Sequence, residues 1–160
     1  METDYMRLRS DCDQIVRQAI AAVQPDAAVR RALSGRKLPP GRVILVAVGK
    51  AAWSMAYTAY SCIGARLSGG IVITKYGYSH GPIGNLRIRE AGHPVPDEES
   101  FSATEEALAL TEGLSKDDLV LFLLSGGGSA LFEAPLVPQG ELQDITRQLL
   151  ACGADIVEIN

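Results

Sequence analysis

Between Ala27 and Arg89 the chain has no aspartate or glutamate, although its 160 residues include 19 acids. The same stretch holds ten basic residues, Arg30, Arg31, Arg36, Lys37, Arg42, Lys50, Arg66, Lys75, Arg87 and Arg89. Only five basic residues and all 19 acids are left for the remainder, so a net charge of −4 hides a strongly asymmetric chain. Such asymmetry suggests that one side of the fold faces an anion. Nucleic acid is a poor candidate, because the chain is acidic overall and its few aromatics, 6% of residues, do not alternate with basic ones. A small anionic substrate fits better.

Other absences narrow the class. No apolar run approaches the roughly 18 residues of a membrane span. Glu2, Asp4, Asp11 and Asp13 stand where a signal peptide would be basic and then apolar. A cytoplasmic protein without membrane association is therefore expected. Cysteine is scarce: Cys12, Cys62 and Cys152 are odd in number and form no C-x-x-C, which excludes a disulfide framework and a zinc site. They are expected to be small packing residues. The two histidines, His80 and His93, have no metal-ligand spacing. With 47% hydrophobic and 21% charged residues, the chain has the composition of one globular domain.

What is present is an alternation of apolar runs. Asp11 to Val23 has the periodicity of an amphipathic helix, broken at Gln24 and Pro25, and a short helix over 26–33 follows. Residues 34–41 form a loop, so residues 1–41 read as a helical appendage packed on the domain. Val43 to Val48 is a continuous β-branched and apolar run, the pattern of a strand buried on both faces of a parallel sheet. A small-residue helix over 50–67 is expected next, stopped by Gly69 and Gly70 before a strand over 71–74. Leu86 to Ala91 is a further strand, despite Arg87, Arg89 and Glu90. A helix starts near Asp97, Glu98 and Glu99, whose charges suit its dipole, and runs to about Glu112. Leu119 to Leu124 is another apolar strand. A helix carrying Leu142, Ile145, Leu149 and Leu150 comes after Pro138, and Asp155 is placed to cap one more. The fold class is α/β, a three-layer α/β/α arrangement with a Rossmann-like, mostly parallel sheet.

In open sheets of this class ligands bind beyond the carboxyl ends of the strands. Four strand ends bring Gly49-Lys50, Thr74-Lys75, Gly92-His93 and the run Ser125, Gly126, Gly127, Gly128, Ser129 to one rim. Lys50 stands at the start of a helix, where a cation is unfavourable unless an anion lies between. The glycines of 125–129 offer backbone amides without side chains in the way, suited to cradling an anion. His93 lies in a loop braced by prolines, and Lys75 can add positive potential; either could equally be an ordinary structural or surface residue. Three familiar sites are absent. No G-x-x-x-x-G-K-[ST] string occurs, Gly49-Lys50-Ala51-Ala52 is not a dinucleotide fingerprint and no acid follows the second strand, and there is no G-x-S-x-G elbow.

The strings VAVGKAAWSMA (46–56), EAGHPVPDEES (90–100), LLSGGGSALFEAP (123–135) and GADIVEIN (153–160), in this order, resemble the N-terminal part of the class II glycerate kinases. This is the MOFRL-associated family, many of whose members have been labelled hydroxypyruvate reductase. The resemblance implies ATP-dependent phosphorylation of D-glycerate to 2-phosphoglycerate, with Mg2+ as the accompanying ion. It assigns a catalytic role to Lys50, and phosphate or substrate contacts to Ser125, Gly126, Gly127, Gly128 and Ser129. Members of the family are longer. The chain is therefore expected to be a single N-terminal domain, residues 1–160, without the C-terminal domain and inactive alone, with a free docking surface that would favour a homodimer. Two other readings stand beside it: an NAD(P)H-dependent hydroxypyruvate reductase, disfavoured by the missing fingerprint, and a module that binds a small anion without chemistry.

Overall fold

The computed structural model describes residues 2–159. Asn160, the last residue of the GADIVEIN string, lies outside them. The chain runs α1 (Glu2–Ala22), α2 (Pro25–Leu33), β1 (Val43–Val48), α3 (Ala52–Ile63), β2 (Gly69–Lys75), β3 (Leu86–Ala91), α4 (Glu98–Leu110), β4 (Leu119–Leu124), α5 (Gly128–Leu131), α6 (Gln139–Ala151) and α7 (Ile156–Ile159). The four strands form one parallel sheet in the order β3-β2-β1-β4.

β1 organises the core. All six of its residues are buried, and Val46 pairs with Ile71 of β2 on one side and Phe122 of β4 on the other. Alternate side chains go to opposite faces, as the pleat requires. Val43, Leu45 and Ala47 pack with Ala52, Ala56 and Ala59 of α3, while Ile44, Val46 and Val48 pack with Ala103 and Ala107 of α4 and Leu131 of α5. Each fully buried Val, Leu or Ile contributes about 1.5–3 kcal/mol. Alanines on the inner faces of α3 and α4 let both helices lie close to the sheet, which completes the three layers.

Several boundaries differ from the sequence reading. α3 ends at Ile63, a single 3-10 turn over Gly64–Arg66 follows, and Gly69 and Gly70 belong to β2. Gly70 is needed for packing against β1: a Cβ there would lie 2.1 Å from the Leu45 carbonyl oxygen. α1 begins at Glu2, well before Asp11, and residues 4–22 are exposed along its whole length. α2 packs on the domain through Val29. The cysteines are not packing residues. Cys12, Cys62 and Cys152 are all exposed, because each falls on the outer side or at the end of a helix. No helix among the described residues is long and apolar enough to cross a membrane.

Four of the ten basic residues of the acid-free stretch, Arg42, Arg66, Arg87 and Arg89, are tied to partners elsewhere in the fold, which corrects the idea of a single cationic side. Arg87 and Arg89 of β3 pair with Glu99 and Glu106 of α4, Arg89 at 2.6 and 2.9 Å. That pairing explains charged residues in a strand at the sheet edge. Arg66 donates to the carbonyls of Pro39 and Gly41. Arg42 is tied to Asp118, which accepts its amide at 2.6 Å and its guanidinium at 3.3 Å. These contacts lock the entry of β1 to that of β4, where Leu119 also donates its amide to the Arg42 carbonyl at 2.8 Å.

Candidate active site at the switch point of the sheet

The order β3-β2-β1-β4 means that the connection from β1 turns one way to β2 and the chain later returns to the other side of β1 as β4. The crevice of such a sheet lies where the order reverses, beyond the ends of β1 and β4. Gly49 to Ala51 and Ser125 to Gly127 meet there.

The two turns are stitched together. Ser125 donates its amide to the Val48 carbonyl at 2.9 Å, and Lys50 donates its amide to the Gly126 carbonyl at 3.0 Å. The Ser125 hydroxyl accepts the Ala51 amide at 3.0 Å and lies 3.3 Å from the Val48 carbonyl. Gly49 has φ +113°, and a Cβ on it would lie 2.3 Å from Ser125 Oγ, so only glycine fits. Its carbonyl accepts the buried Thr74 hydroxyl at 3.0 Å, which fixes the end of β2 to the same turn.

Gly127 is the point of convergence. It has φ +86°, and a Cβ there would lie 2.8 Å from His93 Nε2 and 3.2 Å from Lys50 Cε. Residues from three strand ends thus surround one glycine. Among the described residues, neither Gly126 nor Gly127 donates its amide to another protein group. Lys50 is exposed, and Lys75 is half-buried with its Nζ 5.6 Å from the centre of the Tyr78 ring. Burial, together with the charges of Lys50 and Lys75, holds His93 below the usual imidazole value. The imidazole is therefore neutral near pH 7, a hydrogen-bonding group in a cationic corner.

A second network braces the His93 loop. Asp97 caps α4, accepting the Ser100 amide at 3.0 Å, while Ser100 Oγ accepts the Asp97 amide at 3.1 Å. The carboxylate also accepts the Tyr76 hydroxyl at 2.8 Å. Burial alone would raise the Asp97 carboxyl, but these donors outweigh it and hold it below its usual value. The same bond raises the Tyr76 phenol to about 12. This capping box was legible as D-x-x-S at 97–100, whereas Tyr76 carried no sequence signal. His80 takes no part in the site; it packs edge-on against Trp53.

Beside Gly127 opens a cleft of about 360 Å3 between the His93–Pro96 loop, the glycine turn, α6 and α7. Its walls include Ser129 and Glu133, the latter inside the 123–135 string but given no role there. A larger groove, about 740 Å3, runs along β4 between Leu33, Leu38 and Met55, but it is apolar and away from the strand ends. Size does not mark the site here; convergent polar groups do.

Residues 11–160 match the family described as "Domain of unknown function (DUF4147)". The chain belongs to this family. Within DUF4147, it is 54% identical over 149 residues to the "D-glycerate 2-kinase" of Thermotoga maritima, an alignment that covers 92% of this chain and 35% of that protein. It is 41% identical over 144 residues to an Agrobacterium vitis protein named "Putative hydroxypyruvate reductase", covering 89% of this chain and 32% of that one. A crystal structure of glycerate kinase from Thermotoga maritima superposes with a TM-score of 0.85 at 51% identity, over 96% of this chain and 37% of that structure. The DUF4147 chain thus spans about a third of the length of the relatives it matches, and its three-layer fold is theirs.

Proposed function

We propose that this chain carries the phosphate-holding part of a glycerate 2-kinase, an enzyme that transfers a phosphoryl group from ATP to the 2-hydroxyl of D-glycerate. The observation that carries the proposal is the meeting of Lys50, His93 and the amides of Gly126 and Gly127 at the switch point. A Cβ at Gly127 would fill this cradle, and free amides beside a lysine fit a phosphate. The relatives' names supply the substrate.

Phosphoryl transfer depends chiefly on positioning and on neutralising charge that develops on the transferred group. Lys50 supplies that charge as the catalytic residue. Gly126, Gly127 and Gly128 bind phosphate oxygens through the backbone. Lys75 adds potential at longer range, and neutral His93 donates or accepts a hydrogen bond across the cradle. Ser129, with an exposed hydroxyl beside the cleft, contacts substrate. Ser125 keeps the two turns in register, because its hydroxyl already bonds the Ala51 amide. Mg2+ accompanying ATP is held chiefly by phosphate oxygens with one or two carboxylates; among the described residues no group of three or more His, Cys, Asp or Glu is placed to hold a metal by itself.

A hydroxypyruvate reductase is less well supported. Lys75 ends β2 where a nucleotide ribose would call for an acid, and the turn after β1 lacks the second and third glycines of the dinucleotide loop. A cytoplasmic location accords with this metabolic role. The test is direct. Calorimetric titration of ATP into this chain should give binding that Lys50→Ala weakens, and a polypeptide of the relatives' full length carrying it should form ADP only when D-glycerate is present. Consumption of NADH with hydroxypyruvate, without ADP formation, would reverse the assignment.

A further inference from the structure

Most acids near the rim have a partner. Asp97 accepts from Tyr76 and Ser100, Glu90 accepts the amides of Gly77 and Ser79 at 3.0 and 2.9 Å, and Glu99 and Glu106 pair with arginines. Glu133 does not. Half-buried in the segment between α5 and α6, it takes part in no hydrogen bond or ion pair among the described residues. Its surroundings in the cleft are largely apolar, Pro94, Pro96, Leu142 and Leu150 among them. With no protein donor on them, its carboxylate oxygens are open to a group that enters the cleft.

The other polar groups on the cleft wall narrow what that donor is. Thr146 spends its hydroxyl on the Leu142 carbonyl at 2.8 Å. His93 and Ser129 adjoin the glycine cradle, so the cleft has a phosphate-holding wall and a lone acceptor. A hydroxyl-bearing acid lying between them would direct its hydroxyl proton to Glu133 and the oxygen of that same hydroxyl to a phosphoryl group held in the cradle.

We propose that Glu133 is a catalytic residue, the group that accepts the substrate hydroxyl and takes its proton during phosphoryl transfer. The proposal rests on the kinase reading. As the hydroxyl oxygen bonds the γ-phosphorus, its proton passes to a Glu133 carboxylate oxygen. The bond from that phosphorus to the β-phosphate oxygen breaks, and the electron pair leaves with ADP. Burial raises the Glu133 carboxyl, which makes it a better proton acceptor than an exposed acid. His93, the other titratable side chain on the cleft wall, is disfavoured as a base by its burial and by Lys50 and Lys75.

The experiment uses a polypeptide of the relatives' full length, with Glu133→Gln and Glu133→Asp beside the unaltered protein. Glu133→Gln should lower kcat by about 10²–10⁴-fold, with KM for ATP unchanged and the acid limb of the kcat profile abolished. Glu133→Asp should restore part of kcat and keep the acid limb. Unaltered kcat in Glu133→Gln, or a reduced kcat that keeps the acid limb, overturns the proposal and leaves the kinase reading intact. So does an effect confined to KM for ATP. Should Glu133→Gln fail to fold, the acid limb is assigned from Glu133→Asp and a carboxyl NMR titration of the unaltered protein. A limb that does not follow the Glu133 titration then overturns the proposal. An unaltered protein that forms no ADP with D-glycerate overturns both.

Discussion

Lys50 donates its amide to the carbonyl of Gly126 at 3.0 Å, which makes the turn after β1 and the turn after β4 one structure. A side chain that carries charge and a loop that offers bare amides are thereby held in fixed relation. The relation arises from the sheet order, since β4 returns next to β1 and not beyond β3.

Lys50 is exposed, so Lys50→Ala should leave the unfolding midpoint almost unchanged. Loss of its charge at the transferred group should cost about 10²–10³-fold in kcat. Parallel thermal melts and steady-state kinetics check both halves of this expectation.

Gly127→Ala tests the cradle itself. Its φ of +86° costs an L-residue about 1–2 kcal/mol. The new methyl would also press on His93 Nε2 and Lys50 Cε. Lower stability in urea and a raised KM for ATP should appear together, whereas Gly35→Ala, at a positive φ with open space around it, should lower stability alone.

Leu45 lies fully buried at the centre of β1. Leu45→Ala should destabilise the fold by about 2–5 kcal/mol, read as a shift of the urea midpoint without a change of slope.

Asp118 joins the entries of β1 and β4. Amides of Ser115 and Arg42, and the Arg42 guanidinium, hold its carboxyl well below the usual value of about 3.9. A carboxyl depressed in the folded state stabilises fully above its unfolded value and loses that contribution as pH falls. Asp118→Asn should therefore melt below the unaltered protein at pH 7. The gap should narrow as the pH drops below about 4.

Much of the fold was legible because apolar periodicity reports burial. Val43–Val48 and Leu119–Leu124 gave themselves away as strands, and the stop after β1 followed from Gly49. The limits of α3 were not legible: Gly64 ends it by adopting φ +58°, while Gly69 and Gly70, equally glycine, lie in a strand. Local composition cannot distinguish a glycine that stops a helix from one that lets two strands approach. At the site, Lys50 and 125–129 stood out because each directly follows a strand. Tyr76 matters through a partner distant in sequence, and Glu133, although within the 123–135 string, through cleft surroundings that no spacing encodes. The charge asymmetry misled for the same reason, since Arg42, Arg66, Arg87 and Arg89 find carbonyls and acids that only the folded chain brings near.

The most direct test is glycerate-dependent ADP formation by a polypeptide of the relatives' full length carrying this chain, measured with and without Lys50→Ala. The expected result is 2-phosphoglycerate formed in step with ADP and lost in the variant. ADP formation indifferent to D-glycerate, or undiminished by Lys50→Ala, would contradict the placement of phosphoryl transfer at the Lys50 and Gly127 cradle.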